Sequence, residues 1–245
     1  MKLSRNFKIK EITIVIAMAG SGTRTSDKHD SPKPLIMLEE RPLFSWALEG
    51  LPKDISSEIR VITSGQVAGH PQFESLMKRF MPTSLNFSVE ILQKPTSGQA
   101  ETVLLGTKDV DRKNGILIFN CDTFISDDFP RDFEKWDGVL GAFESSNPGM
   151  SYLETEDKKV IRTVEKEVIS NRASTGLYYF GSKEIFERAF FGTKHPKETF
   201  VAPMYNSMIS DGLNVSYFDT KIVHPLGTSE EIEAFKQSNI LHRNG

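Results

Sequence analysis

The chain contains very little cysteine: among its 245 residues there is one, Cys121. A single cysteine excludes an intramolecular disulfide and is typical of proteins from a reducing compartment. An excess of charge of one sign is also absent, because 30 basic and 33 acidic side chains leave a net charge of -3. Without a basic field, a non-specific binder of DNA or RNA is disfavoured, and we expect no nucleic-acid partner.

Long hydrophobic runs are missing as well. The longest apolar stretch, Ile12 to Ala19, is far shorter than the roughly 20 residues that a membrane helix requires. The basic segment 1–10 lacks the hydrophobic region and the small-residue cleavage site of a secretory signal. We therefore expect a cytoplasmic protein with no membrane partner.

What the sequence does contain is an alternation of predicted strands and helices over about 1–145. This alternation predicts a parallel sheet covered by helices on both faces. Ligands of such sheets bind outside the carboxyl ends of the strands, so the polar segments after Met18 and Phe119 are the first places to look for a site. The predicted strands are Ile12–Met18, Glu58–Thr63, Phe87–Leu92, Ile116–Phe119 and Gly138–Phe143, and the predicted helices begin at Pro42 and span Pro71–Phe80 and Gln99–Gly106.

The pattern changes after about residue 145. Two antiparallel strands are predicted around the turn at Glu156-Asp157, and the last helix is predicted with Ser229 as its N-cap. Because no linker or repeat separates the two parts, we expect one domain, 1–245. The predicted strands of this part are Ser151–Thr155, Val160–Lys166, Thr175–Phe180 and Leu213–Phe218, and the predicted helices are Lys183–Phe190, Thr199–Ser210 and Ser229–Ser238.

A glycine-rich loop, Ala19 to Arg24, follows the first predicted strand. Glycines allow the backbone amides to approach a phosphate closely, and Arg24 and Lys33 add two cations. The alternative is a surface loop with solvated charges. Neither a dinucleotide fingerprint nor a P-loop fits, because Thr25 stands where the fingerprint needs a glycine and Thr23 stands where a P-loop needs lysine.

The run Met18-Ala-Gly-Ser-Gly-Thr-Arg24, followed by Pro32-Lys-Pro-Leu35, resembles the amino-terminal signature of the nucleotidyltransferases. These are the sugar-1-phosphate nucleotidylyltransferases and the related cytidylyltransferases of bacterial surface-polysaccharide pathways. The resemblance covers nearly the whole chain, and its later parts look most like the capsule-associated subgroup. Its further pieces are Gly98–Thr102 as the base-recognition loop, Asn120-Cys121-Asp122 as the metal-aspartate motif, Glu165-Lys166 and Thr175–Tyr178 as acceptor elements, and Ala202–Asn206 and Leu226–Thr228 as carboxy-terminal elements.

The resemblance implies a three-layer, Rossmann-like mixed sheet with helices on both faces, in which about 1–145 bind nucleotide and about 146–245 bind the acceptor. It implies Mg²⁺-dependent transfer from a nucleoside triphosphate to a phosphorylated acceptor, with release of pyrophosphate. The implied acceptor is a sugar 1-phosphate or a small non-sugar phosphate. The resemblance to the capsule-associated subgroup favours CTP as the nucleotide. Assembly into a homo-oligomer is left open. The implied site residues are Arg24, Lys33 and Lys166 for catalysis, Ala19, Gly20, Ser21, Gly22, Thr23, Gly98, Gln99 and Thr102 for the nucleotide, Glu165, Lys166 and Gly176 for the acceptor, and Asp122 for the metal.

Each of these residues also has a simpler explanation. Asp122 is suited to an Asx-type turn after a strand. Gln99 is a common kind of residue at a helix N-terminus, and Lys166 could be a solvated lysine at a strand edge. Glu165 could pair with Lys166 as readily as with an acceptor hydroxyl. Cys121 is expected to fill space in the core rather than to act in catalysis.

The sequence departs from the family pattern at Pro225, which stands about where a second metal aspartate is usual. Proline has no side-chain ligand. Either another residue serves, with Asp219 and His224 as the nearest candidates, or a single protein carboxylate holds the ion together with phosphates. This departure keeps open a catalytically inactive nucleotide-binding regulator or partner protein. A small glycosyltransferase is disfavoured, because its metal-binding Asp-x-Asp pair would need a second aspartate where Phe124 stands.

Overall fold

A nine-stranded mixed sheet forms the centre of the structure, a computed structural model that describes residues 11–20, 31–52, 54–56, 58–126, 129–238 and 240. The strands are β1 Ile12–Met18, β2 Met37–Leu38, β3 Arg41–Pro42, β4 Glu58–Ser64, β5 Asn86–Leu92, β6 Gly115–Asn120, β7 Thr123–Ile125, β8 Gly138–Glu144, β9 Ser151–Glu156, β10 Lys159–Glu165, β11 Arg172–Phe180, β12 Val215–Asp219 and β13 Val223–Pro225. The α-helices are α1 Leu43–Ala47, α2 Gly65–Ala68, α3 Phe73–Phe80, α4 Gln99–Gly106, α5 Lys183–Gly192, α6 Met204–Ser210 and α7 Ser229–Lys236, and single 3₁₀ turns span Lys33–Leu35, Leu48–Gly50 and Phe133–Lys135.

The strands of the large sheet lie in the order β5-β4-β1-β6-β11-β8-β12-β10-β9. The first four are parallel to one another, as the alternating sequence pattern predicts. Strand β11 comes from the second half of the chain and runs antiparallel between β6 and β8. The sheet is therefore mixed, and both halves of the chain contribute to it.

Helices and loops cover both faces of the sheet and bury two large apolar clusters. One cluster joins β1, β4 and β6 to α1, α2 and α3, and the other joins the opposite face to α4, α5 and α6. Strand β1 is apolar except for Thr13, because it is buried on both faces. A third, smaller cluster packs α1 and α7 against Phe124 and Leu226, beside the short strands β7 and β13.

Four predicted helix starts differ from the structure, and the first is that of α3, which begins at Phe73 rather than at Pro71. Pro42 lies in strand β3 and precedes α1 instead of being its first residue. Helix α6 begins at Met204 rather than at Thr199, because the Thr199 backbone bonds to the segment that precedes α4. The N-cap of α7 is Thr228 rather than Ser229, since Thr228 and Glu231 form a reciprocal capping box.

The sequence pattern did not predict β7 and β13, which are three residues each and pair antiparallel. They matter because β7 begins directly after Asp122 and so fixes where the turn that carries this carboxylate lies. In the part of the chain that the structure describes, no helix is long and apolar enough to cross a membrane.

Candidate active site

Lys33 and Asp122 meet at the carboxyl end of β6. The Lys33 Nζ lies 2.5 Å from Asp122 Oδ2, although the two residues are 89 positions apart in the chain. The lysine side chain is 11% exposed and the aspartate side chain 30%, so the ammonium group is the more enclosed of the two. Prolines on both sides of Lys33 hold its 3₁₀ turn in place. The predicted phosphate-binding cation and the predicted metal carboxylate therefore form one partly buried pair.

The chain at Leu226-Gly227 closes around this pair. The Leu226 N–H donates to the Asp122 carbonyl oxygen at 2.8 Å. A Cβ placed on Gly227 would lie 3.8 Å from Lys33 Nζ and 3.0 Å from Glu231 Oε2. A side chain at Gly227 would crowd the Glu231 carboxylate, and the late Leu-Gly-Thr element lies beside the Lys33–Asp122 pair.

A second group of side chains lies at the start of α4. Gln99 Nε2 donates to Asn120 Oδ1 at 2.7 Å. Gly176 has φ of +83°, and a Cβ at this position would collide with the Asn120 amide. The structure therefore brings together Gln99 of the predicted base loop and Gly176 of the predicted acceptor element, with Asn120 between them.

Asn120 was not among the predicted site residues. It is the last residue of β6, pairs with Ala17 of β1, and stands two positions before Asp122. Its position in the Asn-Cys-Asp motif at a strand end was the one indication in the sequence that it belongs to the site. The sequence does not indicate that its side chain lies between Gln99 and Gly176.

The loop before α4 is held by its own contacts and by the segment around Thr199. A Cβ on Gly98 would lie 2.7 Å from both the nitrogen and the carbonyl oxygen of Thr199. The Thr102 hydroxyl donates to the Gly98 carbonyl oxygen at 3.0 Å, and Thr102 is buried. Thr102 was predicted to contact the nucleotide, but its buried hydroxyl already bonds within the loop. Its contact with the nucleotide stays a prediction.

The two predicted acceptor residues have different partners. Glu165 accepts a hydrogen bond from Ser151 Oγ. The Lys166 ammonium lies 4.4 Å from the centre of the Phe200 ring and 3.9 Å from Glu198 Oε2. Phe200 and Glu198 flank Thr199, so the Lys166 side chain contacts the segment that supports the base loop.

Two buried groups near these residues stay protonated. Burial, together with the nearby charges of Glu165 and Asp122, raises the pKa of the Tyr178 phenol to about 12. Burial, together with the charge of Asp122, also raises the pKa of the Cys121 thiol to about 12. A thiol with this pKa has little thiolate to act as a nucleophile at neutral pH, in agreement with its predicted role as core filling.

Both candidates for a second metal ligand contact other residues in the structure. Asp219 lies at the end of β12, separated from β6 by β11 and β8, and accepts from Arg172 Nε at 3.2 Å. The His224 ring packs against the rings of Phe124 and Phe235, with centroids 6.1 and 5.4 Å away, and burial lowers its pKa. The assignment of Asp219 or His224 as a second metal ligand stays a prediction.

The donors that remain nevertheless fit one kind of metal site. Within the described ranges, no group of three or more His, Cys, Asp and Glu side chains could hold a metal. Asp122 offers a carboxylate that already neutralises a cation, the Lys33 ammonium. Mg²⁺ is commonly bound by one or two carboxylates, with phosphate oxygens and water as its other ligands. Asp122 alone is consistent with such an ion when a nucleotide is bound.

Part of the predicted glycine loop lies outside the described residues. This applies to Ser21, Gly22, Thr23 and Arg24. Ala19 and Gly20 are described and follow β1 directly, beside the end of β6. Gly20 is exposed, and a Cβ there would meet no atom within 4 Å.

Comparison with known proteins gives a consistent result. The model of the family described as nucleotidyl transferase matches residues 13–234. No curated protein matches the sequence. Among solved structures, the nucleoside-diphosphate-sugar pyrophosphorylase from Vibrio cholerae RC9 is 29% identical with a TM-score of 0.82, over 92% of this chain and 100% of that one.

More distant structures share the fold. The inositol-1-phosphate CTP transferase from T. maritima is 14% identical with a TM-score of 0.70, over 94% of this chain and 98% of that one. A UDP-glucose pyrophosphorylase complexed with UDP-glucose is 17% identical with a TM-score of 0.76, over 96% of this chain and 100% of that one. The predicted mixed sheet with helices on both faces is confirmed by these neighbours and by the strand order.

Proposed function

The chain belongs to the nucleotidyl transferase family, and from this premise we propose that it transfers a nucleotidyl group from a nucleoside triphosphate to a small phosphorylated acceptor. The observation that carries the proposal is the Lys33–Asp122 pair at the end of β6, beside Gly227. The proposed acceptor is a sugar 1-phosphate or a small non-sugar phosphate, and the proposed nucleotide is CTP. The proposed role is to supply an activated precursor for capsule or other surface polysaccharide in the cytoplasm.

The proposed reaction is a direct displacement. A phosphate oxygen of the acceptor attacks the α-phosphorus, a new phosphorus–oxygen bond forms, and the bond to the leaving pyrophosphate breaks. No covalent bond to the protein is needed, so catalysis consists of positioning and charge neutralisation. Lys33 is held by Asp122 at the edge of the sheet where the reacting phosphate would lie. Arg24 and the amides of Ala19 to Thr23 would bind the remaining phosphates.

Asp122 would hold Mg²⁺, which when bound neutralises phosphate charge. Asp122 would also keep the Lys33 ammonium group beside the phosphate whose charge it neutralises.

The acceptor would bind beside β11. At Gly176 the Asn120 amide fills the space that a side chain would need. Lys166, near Phe200, would bind the acceptor phosphate. Glu165 would accept a hydrogen bond from an acceptor hydroxyl, with its orientation set by Ser151. In this arrangement about 1–145 bind the nucleotide and about 146–245 bind the acceptor.

One observation favours a second candidate, a nucleotide-binding regulator or partner protein without activity. Pro225 lies directly opposite Thr123 in the β13–β7 pair, right after Asp122, so no carboxylate is available at that position. The structure gives no support to a glycosyltransferase. The second aspartate of its metal-binding pair would stand at position 124, where Phe124 is buried among apolar side chains.

Phosphorus NMR of the complete reaction distinguishes the two candidates. Nucleotidyl transfer produces free pyrophosphate together with a new diphosphate whose two phosphorus atoms come from the nucleotide and the acceptor. Pyrophosphate together with free nucleoside monophosphate would indicate hydrolysis, and unchanged substrates would favour the inactive nucleotide binder.

A further inference from the structure

Lys166 has a backbone conformation that lysine rarely adopts. It follows the last residue of β10 and has φ of +58°, in the left-handed region that favours glycine. Its N–H donates to the Met150 carbonyl oxygen at 2.9 Å, directly before β9, so the β9–β10 hairpin holds this conformation. Unfavourable backbone conformations that the surrounding structure maintains are concentrated at functional sites. The direction in which the Lys166 side chain leaves the hairpin is therefore fixed by its own backbone.

Two side chains contact the Lys166 ammonium group. It lies 4.4 Å from the centre of the Phe200 ring and 3.9 Å from Glu198 Oε2. The side chains of Lys166 and Glu198 are 50% and 51% exposed, and ion pairs at such exposed positions are weak. Phe200 is half-buried, so the ring is the more enclosed of the two partners.

Thr199, the residue between these two partners, is anchored by the loop before α4. Its N–H donates to the Ser97 carbonyl oxygen at 3.0 Å, and its carbonyl oxygen accepts from the Ala100 N–H at 2.9 Å. Thr199 is also buried. The backbone that carries both partners is thus held in place by contacts that do not involve Lys166.

The two partners affect the charge of the ammonium group differently. An aromatic ring attracts a cation through its quadrupole but carries no net charge, so Phe200 leaves the positive charge available to an anion. The Glu198 carboxylate neutralises the same charge and competes with any phosphate that approaches. Removing the ring should therefore weaken phosphate binding at Lys166, whereas removing the charge of Glu198 should strengthen it.

We propose that Phe200 is a positioning residue for the acceptor phosphate, which holds the Lys166 ammonium group in place, and that Glu198 is the anion that this phosphate displaces. The inference rests on the proposed function, since it takes Lys166 as the residue that binds the acceptor phosphate. It goes beyond that function by giving the lysine two partners with opposite effects on acceptor binding.

The test uses inorganic phosphate as the probe and NMR of protein whose lysines are reductively methylated with ¹³C, a modification that keeps their charge. The Lys166 resonance is assigned by its loss in Lys166→Arg, and its shift during a phosphate titration gives the dissociation constant at this one side chain. We expect Phe200→Leu to raise this constant about 3- to 10-fold, and Phe200→Tyr, which keeps a ring, to leave it within about 2-fold of the wild type. Glu198→Gln should lower the constant about 2- to 5-fold.

The methyl groups also report the contact itself, without phosphate. The Phe200 ring should shift the Lys166 resonance upfield of those of exposed lysines such as Lys113, and this displacement should disappear in Phe200→Leu but persist in Phe200→Tyr. Phe191→Leu, at a highly exposed ring on α5, is the matched control and should change neither measurement. If Phe200→Leu does not fold by circular dichroism, Phe200→Met serves in its place.

Three results would overturn the inference. The first is a Lys166 resonance that the ring does not displace in the wild type, or that does not respond to phosphate. The second is the same dissociation constant in the wild type and in Phe200→Leu. The third is weaker phosphate binding in both Phe200→Leu and Glu198→Gln, because a segment with a merely structural role would lose binding from either change.

Pyrophosphate release is assayed separately on unmodified protein. Phosphate binding at Lys166 with the expected effects, but without transfer, would contradict the proposed function and leave the roles of Phe200 and Glu198 standing. Transfer with a Lys166 resonance that ignores phosphate would do the reverse.

Discussion

Lys33 and Asp122 form an ion pair between a loop that follows β1 and the turn that follows β6, with 2.5 Å between Nζ and Oδ2. The two elements belong to adjacent parallel strands, whose carboxyl ends meet at one edge of the sheet. Each partner keeps the other in place, and Leu226 and Gly227 enclose them. The predictions below depend on this pair and on the loops that surround it.

Replacing Asp122 should abolish turnover without unfolding the protein. We expect Asp122→Ala to lose Mg²⁺-dependent pyrophosphate release, because the variant lacks the carboxylate that holds the metal and orients Lys33. Its melting temperature should stay close to that of the wild type. Asp219→Ala is the matched control and should retain activity, since Asp219 pairs with Arg172 away from β6. Unchanged turnover in Asp122→Ala would remove the metal role.

Replacing Arg24 should affect the transition state. We expect Arg24→Ala to lose about 2–4 kcal/mol of transition-state stabilisation, the usual effect of removing one preorganised donor or charge. The measurement is kcat/KM for the triphosphate. Arg162→Ala, an exposed arginine paired with Glu154 on the β9–β10 hairpin, should behave as the wild type. Wild-type kinetics in Arg24→Ala would contradict the triphosphate assignment.

Adding one methyl group at Gly98 should disturb the base loop. A Cβ there would lie 2.7 Å from the Thr199 backbone, so one of the two segments must move. We expect Gly98→Ala to lower the free energy of unfolding by about 1–3 kcal/mol and to weaken nucleotide binding. Gly65→Ala has open space around its Cβ and should change stability by less than about 1 kcal/mol. Equal free energies of unfolding for the two variants, measured in urea, would show that a side chain at position 98 fits beside Thr199 without cost to stability.

Cys121 should make stability depend on alkaline pH. Its pKa is raised from 9.0 to about 12 in the folded protein, so above about pH 9 the unfolded chain loses this proton while the folded chain keeps it. The free energy of unfolding should therefore fall as pH rises through this window, by up to about 1.4 kcal/mol per pH unit from this group.

The control for that effect is Cys121→Ala, which lacks the titrating group. Other groups titrate equally in both proteins, so the difference between their unfolding free energies isolates the thiol. A difference that is constant from about pH 8 to 10.5 would contradict the assigned pKa.

The sequence predicted the parallel part of the sheet well, because strands such as β1 and β6 are buried on both faces and carry apolar runs. It also predicted that Lys33 and Asp122 belong to one site, through the family resemblance. The insertion of β11 between β6 and β8 was not predictable in this way, since apolar periodicity gives no information about which strands pair.

Other parts of the site depend on contacts between distant segments. The strands β7 and β13 are too short to give a periodic signal, yet they bring Leu226 to Asp122. The hydrogen bond from Gln99 to Asn120, and the fit of Asn120 against Gly176, depend on three segments meeting in the folded chain. Asp219 and His224 were chosen by closeness in sequence to Pro225, and the fold directs both of them elsewhere.

The central claim is that this chain transfers a nucleotidyl group to a phosphorylated acceptor. The most direct test measures pyrophosphate release from each triphosphate, with Mg²⁺, against a panel of sugar 1-phosphates and small non-sugar phosphates such as phosphocholine. We predict release for at least one combination, with none when either substrate is omitted. Thermal stabilisation of the protein by a triphosphate, without pyrophosphate release from any combination, would contradict the account and identify a nucleotide-binding protein without transferase activity.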